Sequence, residues 1–300
     1  MEPIPEKLSK NLEAMLGKYF SQSFHRFAER DDAKFDAIQT MQDNLQSSID
    51  VIKRVKTEID SIQPKRILEV GSGPGFLSMA MAIQFEDAKV FGVEPEKSGV
   101  DLANSLSKEL TLERQVTFQC GQGEALPFDD NTFDLVICHT VIEHVGNVEK
   151  VISEISRVLS PNGRLHLEAP NYVFPYEPHL QIYTVPKFGK KFVAFTSFFQ
   201  GKWGLRGYLE HLQFVTPFSL ERLFTKYNLE ANNLVVEKIW RISDGTTIPK
   251  KYRKLSTLIR LMSYIGGLKL VIALVVASGL YPSVMYSAKK RHEVRKAASI

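Results

Sequence analysis

The run RILEVGSGPGF at residues 66–76 restricts this chain more than any other segment. An apolar, strand-like stretch closes on an acid, passes through glycines at 71, 73 and 75, and opens into a helical period. Such glycines permit positive φ and let a ligand approach the backbone closely. The spacing is G-x-G-x-G rather than the dinucleotide G-x-G-x-x-G, and Glu69 stands two residues before the first glycine. A carboxylate aimed at that turn repels a pyrophosphate and attracts a cation, which disfavours a nicotinamide-dependent oxidoreductase. Around this run, short apolar stretches alternate with helical periods. They predict strands near 66–70, 89–94, 116–120, 134–139 and 164–169, with helices near 76–86, 97–110 and 147–159. That order predicts an α/β fold with a doubly wound, mostly parallel sheet. A helix capped by Thr216 with Pro217 at its first position, and a strand near 234–241, are expected to close it.

With these residues in view, the sequence resembles the class I S-adenosylmethionine-dependent methyltransferases of the small-molecule group, over roughly residues 60–170. The resemblance implies a seven-stranded Rossmann-like methyltransferase fold with S-adenosyl-L-methionine as cofactor. It implies that Glu69 and the backbone of Gly71, Ser72, Gly73 and Gly75 surround the methionine part. Glu94, closing VFGVEP, would accept hydrogen bonds from both ribose hydroxyls, a task suited to a carboxylate. In GQGEALPF, Gln122 stands where the family often has an acid, and Gln122, Gly123 and Glu124 are expected on the adenine side.

Ligands of open α/β sheets sit beyond the carboxyl ends of the strands, so the residues after the fourth strand should face the transferable methyl. They include His139, Glu143 and His144. His144 is expected as a base or positioning group, with capping of the next helix as the alternative. His139 could contact the cofactor, and Glu143 could orient His144, assist a metal or, as the leading expectation, remain solvated. A Glu-His pair alone is too few ligands for a stable metal site, so no metal is expected. After the fifth strand, EAPNYVFPYEPHLQIY carries Tyr172, Tyr176, Glu177 and His179, a polar set suited to a hydroxylated acceptor. The surrounding stretch 171–214 is aromatic at 12 of 44 positions, against 10% for the chain, and reads as an acceptor-recognition insert. Similar segments in methyltransferases associated with surface polysaccharides suggest a small-molecule, sugar or lipid-linked acceptor. Oxygen is preferred as the methylated atom because a base is at hand.

Charge is distributed unevenly. Residues 248–300 hold 11 of the 38 Lys and Arg but one acid, Glu293, leaving the rest of the chain net acidic. Within that basic tail, residues 270–286 carry no charge. A span of ~20 residues is usual, so 17 interrupted by Gly279 and Pro282 point to an interfacial anchor on an anionic membrane rather than a crossing. Nucleic acid fits poorly, because an apolar run separates the basic clusters. The expected organisation is a helical lid over 1–62, a methyltransferase domain over 63–247 and a membrane-associating tail over 248–300. The N-terminus lacks a signal-like pattern and the two cysteines match no disulfide framework, so a cytoplasmic, peripheral or monotopic location is expected. A non-catalytic cofactor-fold scaffold at a membrane remains the alternative.

Overall fold

The computed structural model describes residues 8–24, 36–59, 62–243 and 256–291. In chain order the elements are α1 (Lys10–Phe24), α2 (Ala37–Glu58), β1 (Arg66–Val70), α3 (Phe76–Gln84), β2 (Lys89–Glu94), α4 (Lys97–Glu109), β3 (Val116–Cys120), β4 (Phe133–His139), α5 (Val148–Val158) and β5 (Leu159–Pro170). There follow a small hairpin of β6 (Tyr176–Glu177) and β7 (Ile182–Tyr183), then α6 (Lys190–Phe199), α7 (Pro217–Lys226), β8 (Leu229–Asn233), α8 (Leu234–Ser243), α9 (Ser256–Tyr264), α10 (Gly267–Ser278) and β9 (Ser283–Lys290).

The main sheet has the order β3-β2-β1-β4-β5-β9-β8. Its first five strands pair in parallel, and β9 runs antiparallel to both β5 and β8. The expected doubly wound, mostly parallel sheet is therefore present. Strands covered on both faces read as continuous apolar runs: Ile67, Leu68 and Val70 in β1 and Leu135 to Cys138 in β4 are all buried. The core has two parts, one on each side of the sheet. On one side α1 contributes Leu12 and Leu16, and α2 contributes Met41, Leu45, Ile52 and Val55, at the three- and four-residue spacing of an apolar helical stripe. These side chains share one core with α3, α4 and β1, so the N-terminal helices are a layer of the same fold rather than a separate lid.

Two expectations at the far edge fail. Residues 234–243 are a helix, not a strand; the strand lies just before them, and the Asn233 side chain accepts the Val236 amide to start the helix. The β-branched and apolar content of LVVEKIW imitated a strand. The boundary at 247 also fails for the sheet. Residues 283–290, expected in a peripheral tail, form a nearly buried strand between β5 and β8, paired from Arg164 with Lys289 to Pro170 with Ser283. Asn171 fastens this connection by donating to the carbonyls of Gly279 and Tyr281. The Thr216 cap stands as expected, with Ser219 completing a capping box.

Among the described residues no single helix is long and apolar enough to cross a membrane. Residues 257–264 and 267–278 reach that length and composition together, but are bent by 98°. Leu258, Leu261, Tyr264, Ile265, Leu270, Val271 and Leu274 on this pair are exposed.

Candidate functional site

Strand order reverses between β1 and β4, and a ligand crevice of an open α/β sheet opens at such a point. β1 runs straight into the glycine turn. The Gly71 and Ser72 amides both donate to the Val93 carbonyl, stitching the turn to the end of β2. Gly71, Gly73 and Gly75 all have positive φ. A Cβ at Gly75 would collide with the Phe118 ring, and one at Gly71 with Val141, so side chains at these points would displace the walls of the crevice. Ser72 is buried, and its hydroxyl has no hydrogen-bond partner among the described residues.

Glu94 lies at the end of β2 beside this turn. One carboxylate oxygen accepts the Gly73 amide at 2.9 Å and the other the Glu96 amide at 3.2 Å, and burial raises its pKa. Glu69 is buried and accepts the Ser78 hydroxyl; burial pushes its pKa up to about 8, with the nearby Glu94 charge adding to the rise. On the β3 side, Gln122 is exposed and pairs with Ala125 in an isolated bridge, whereas Glu124 is committed to the start of α5, accepting the Asn147 amide at 3.0 Å. Gly123 packs against Val70 and Val151. Tyr19, which the sequence did not single out, brings its hydroxyl over Gly73 from α1, where a Cβ on Gly73 would lie 3.3 Å from it.

Two polar clusters lie on the β4 and β5 side. In the first, His139 at the end of β4 sits 3.6 Å from Glu168, which also meets Arg54 of α2 at 3.2 Å and His166. Burial lowers the His139 pKa. Burial acts to raise that of Glu168, but the His166 hydrogen bond and the charges of His139 and Arg54 bring it below the ordinary carboxylate range. The second cluster gathers Glu143, His144, Tyr172, Glu177, His179 and Tyr208. His179 Nδ1 lies 2.7 Å from Glu177 Oε1 and 3.3 Å from the Tyr172 hydroxyl. His144 Nδ1 lies 3.3 Å from the Tyr208 hydroxyl, and the two imidazole rings meet edge to face at 5.1 Å. Burial, then the His179 charge, pushes His144 down to about 4, so it is neutral near pH 7. Burial pushes Glu143 up to about 7.

The helix after this segment is capped by Asn147, so His144 is not its cap. Glu177 is fully buried and spends its second oxygen on the Leu180 amide, which makes it a support for His179 rather than a surface contact. Tyr176 stands apart, its ring against Tyr183 on the hairpin. Tyr172 stacks on Phe214 at 4.4 Å and, with Pro186, Lys187, Phe218 and Ser278, lines a cavity of about 380 Å³. The sequence marked His144 and His179 separately. Their meeting, and the Tyr208 contact, depend on how the chain returns after β5.

Residues 68–167 match the family described as "Methyltransferase domain". That match covers a third of the chain and agrees with the resemblance to the class I methyltransferases drawn from the sequence. The chain is 35% identical over 102 residues to an uncharacterized methyltransferase, YcgJ, of Bacillus subtilis, covering 34% of this chain and 39% of that one. It is 30% identical over 123 residues to the ubiquinone biosynthesis O-methyltransferase of Coxiella burnetii, covering 41% and 50%. The match thus spans half or less of each relative. In fold, the chain is similar to the cyclase SpnF, with a TM-score of 0.52, 14% identity and coverage of 93% of this chain and 94% of that one. The likeness to SpnF concerns architecture alone. The match ends within β5, so α1 and α2 before it and β6 through β9 after it fall outside the matched residues.

Proposed function

We propose that this chain transfers a methyl group from S-adenosylmethionine to an oxygen of a small-molecule, sugar or lipid-linked acceptor at an anionic membrane surface. The observation that carries the reading is the placement of two sets of groups at the ends of neighbouring strands, one on each side of the strand-order reversal. A bare glycine turn with Glu69 and Glu94 lies on one side, and His144, His179 and Tyr172 lie on the other. The cofactor fits the first set: the orphaned Ser72 hydroxyl and the strand-end carboxylate offer unused hydrogen-bonding capacity. Gly71, Ser72, Gly73 and Gly75 would hold the methionine part beside Glu69, Glu94 the ribose, and Gln122 and Gly123 the adenine. Bound there, S-adenosylmethionine supplies a methyl already activated by the sulfonium charge. What remains for the chain is to align the acceptor and handle its proton. His144, neutral near pH 7, suits that role, and Glu177 fixes the ring of His179 beside it.

The membrane part of the proposal rests on the exposed apolar residues of the α9–α10 pair and on basic residues around them. Arg260 and Lys269 lie on these helices, and Lys250, Lys251, Arg253 and Lys254 precede them in sequence; the latter four lie outside the described residues. Each cation near an anionic surface adds ~1 kcal/mol. Ser278, the last residue of α10, lines the same cavity as Tyr172, so an amphiphile seated in the membrane would have a short path to the acceptor side. Calorimetry with S-adenosylmethionine tests the first half: one site per chain is expected, and no binding would refute it. Methyl transfer from labelled cofactor into lipid and glycan extracts tests the second. Binding without transfer to any acceptor would favour the non-catalytic scaffold.

A further inference from the structure

The pair Glu143-His144 supplies two metal-binding side chains, and the fold brings a third, His179, from beyond β5. One donor atom from each of the three lies within 4.8 Å of the others. Glu143 is buried, and among the described residues neither carboxylate oxygen has a hydrogen-bond partner. A buried carboxylate without donors is costly unless something cationic completes it. The imidazoles are held in a manner suited to that task. Glu177 Oε1 lies 2.7 Å from His179 Nδ1, and the Tyr208 hydroxyl 3.3 Å from His144 Nδ1, so each ring is held at one nitrogen. His144 Nε2 lies 3.8 Å from Glu143 Oε1. A metal-bound histidine generally has its other ring nitrogen held by a carboxylate or similar partner in this way.

We propose that Glu143, His144 and His179 bind a divalent transition-metal ion, of the Zn²⁺, Mn²⁺ or Fe²⁺ type, with coordination positions left open toward the acceptor side. Two imidazoles and one carboxylate are a donor set for such ions rather than for Ca²⁺ or Mg²⁺, which prefer all-oxygen shells. With metal–donor bonds of about 2.1 Å, the donors would stand roughly 3.0–3.5 Å apart, so the observed spacing closes by small side-chain rotations. The neighbouring cluster of His139, His166 and Glu168 is a poorer host, because the Arg54 guanidinium already neutralises Glu168.

The catalytic consequence, unlike the binding itself, rests on the methyl-transfer reading. An acceptor hydroxyl entering an open position would become more acidic and release its proton to water. His144 would then serve as a ligand rather than as a base.

The test uses the tag-free full chain, stripped with a chelator and titrated with Zn²⁺ and Mn²⁺ in a calorimeter and with Co²⁺ in a visible spectrophotometer. One ion per chain is expected, with Co²⁺ bands of a nitrogen and oxygen environment. Glu143→Gln and His179→Ala should each weaken binding by ~100-fold or more, and Glu177→Gln by ~10–100-fold. His166→Ala should leave binding unchanged. Each variant's S-adenosylmethionine affinity, measured without metal, checks folding and keeps the cofactor reading separate. If Glu143→Gln does not fold, His144→Ala takes its place. Absence of stoichiometric binding overturns the proposal, as does binding that survives Glu143→Gln and His179→Ala or that disappears in His166→Ala.

Discussion

Glu69 and Glu94 face one turn but are set for different work. Glu94 is partly exposed and already accepts two backbone amides. Glu94→Ala should weaken cofactor binding by ~1–3 kcal/mol through lost charge-assisted hydrogen bonds; unchanged affinity by calorimetry would contradict the ribose assignment. Glu69 is held protonated by burial at neutral pH, with its pKa near 8 against an ordinary 4.5. Across that window the native state keeps a proton that the unfolded chain has lost, so this residue's contribution to stability falls as pH rises from about 4.5 through 8. Thermal unfolding followed from pH 5 to 8.5 should therefore decline less steeply for Glu69→Gln than for the unmodified chain. Glu143 adds a similar decline to both proteins, so the difference between the slopes is the readout. Parallel slopes would show that Glu69 titrates normally.

At the scale of elements, the glycine turn depends on tight packing between β1, α3 and β3. Gly75 combines a φ of 82° with a position where a Cβ would strike Phe118. Gly75→Ala should lower stability by ~1–3 kcal/mol, measurable by urea unfolding, and should weaken cofactor binding as well. The glycine turn and its two carboxylates were legible in the sequence because their determinants are local: residues 66–76 carry strand, acid and turn in one run, and Glu94 ends the adjacent strand. The polar cluster after β4 and β5 was only half legible. His144 and His179 could be marked by residue type, but their approach is a product of long-range packing. Tyr19 carried no signal beyond its place on an amphipathic helix. β9 was missed because its apolar residues continue those of α10 without a polar break. The division comes from the backbone: Gly279, at φ 71°, ends the helix, and Pro282 precedes the strand.

For the whole molecule, α9 and α10 are surface elements joined to an interior strand, so membrane contact and folding can be tested separately. The double substitution Leu261→Glu and Leu270→Glu alters exposed side chains only. It should abolish flotation with anionic vesicles while leaving the unfolding midpoint nearly unchanged; retained flotation would argue against membrane seating. Deleting residues 283–290 should instead abolish cooperative unfolding, because the sheet loses the strand joining β5 to β8. Placing β9 between strands made much earlier also governs how the chain is synthesised. As β5 leaves the ribosome, its outer edge, bearing Leu165 and Leu167, has no neighbour, and β8 emerges without one as well. Both wait, open to mispairing with other nascent chains, while the greasy α9–α10 segment passes the exit tunnel. Completion of the sheet is a late, non-local event, so both edges stay open to mispairing until the last strand has been made.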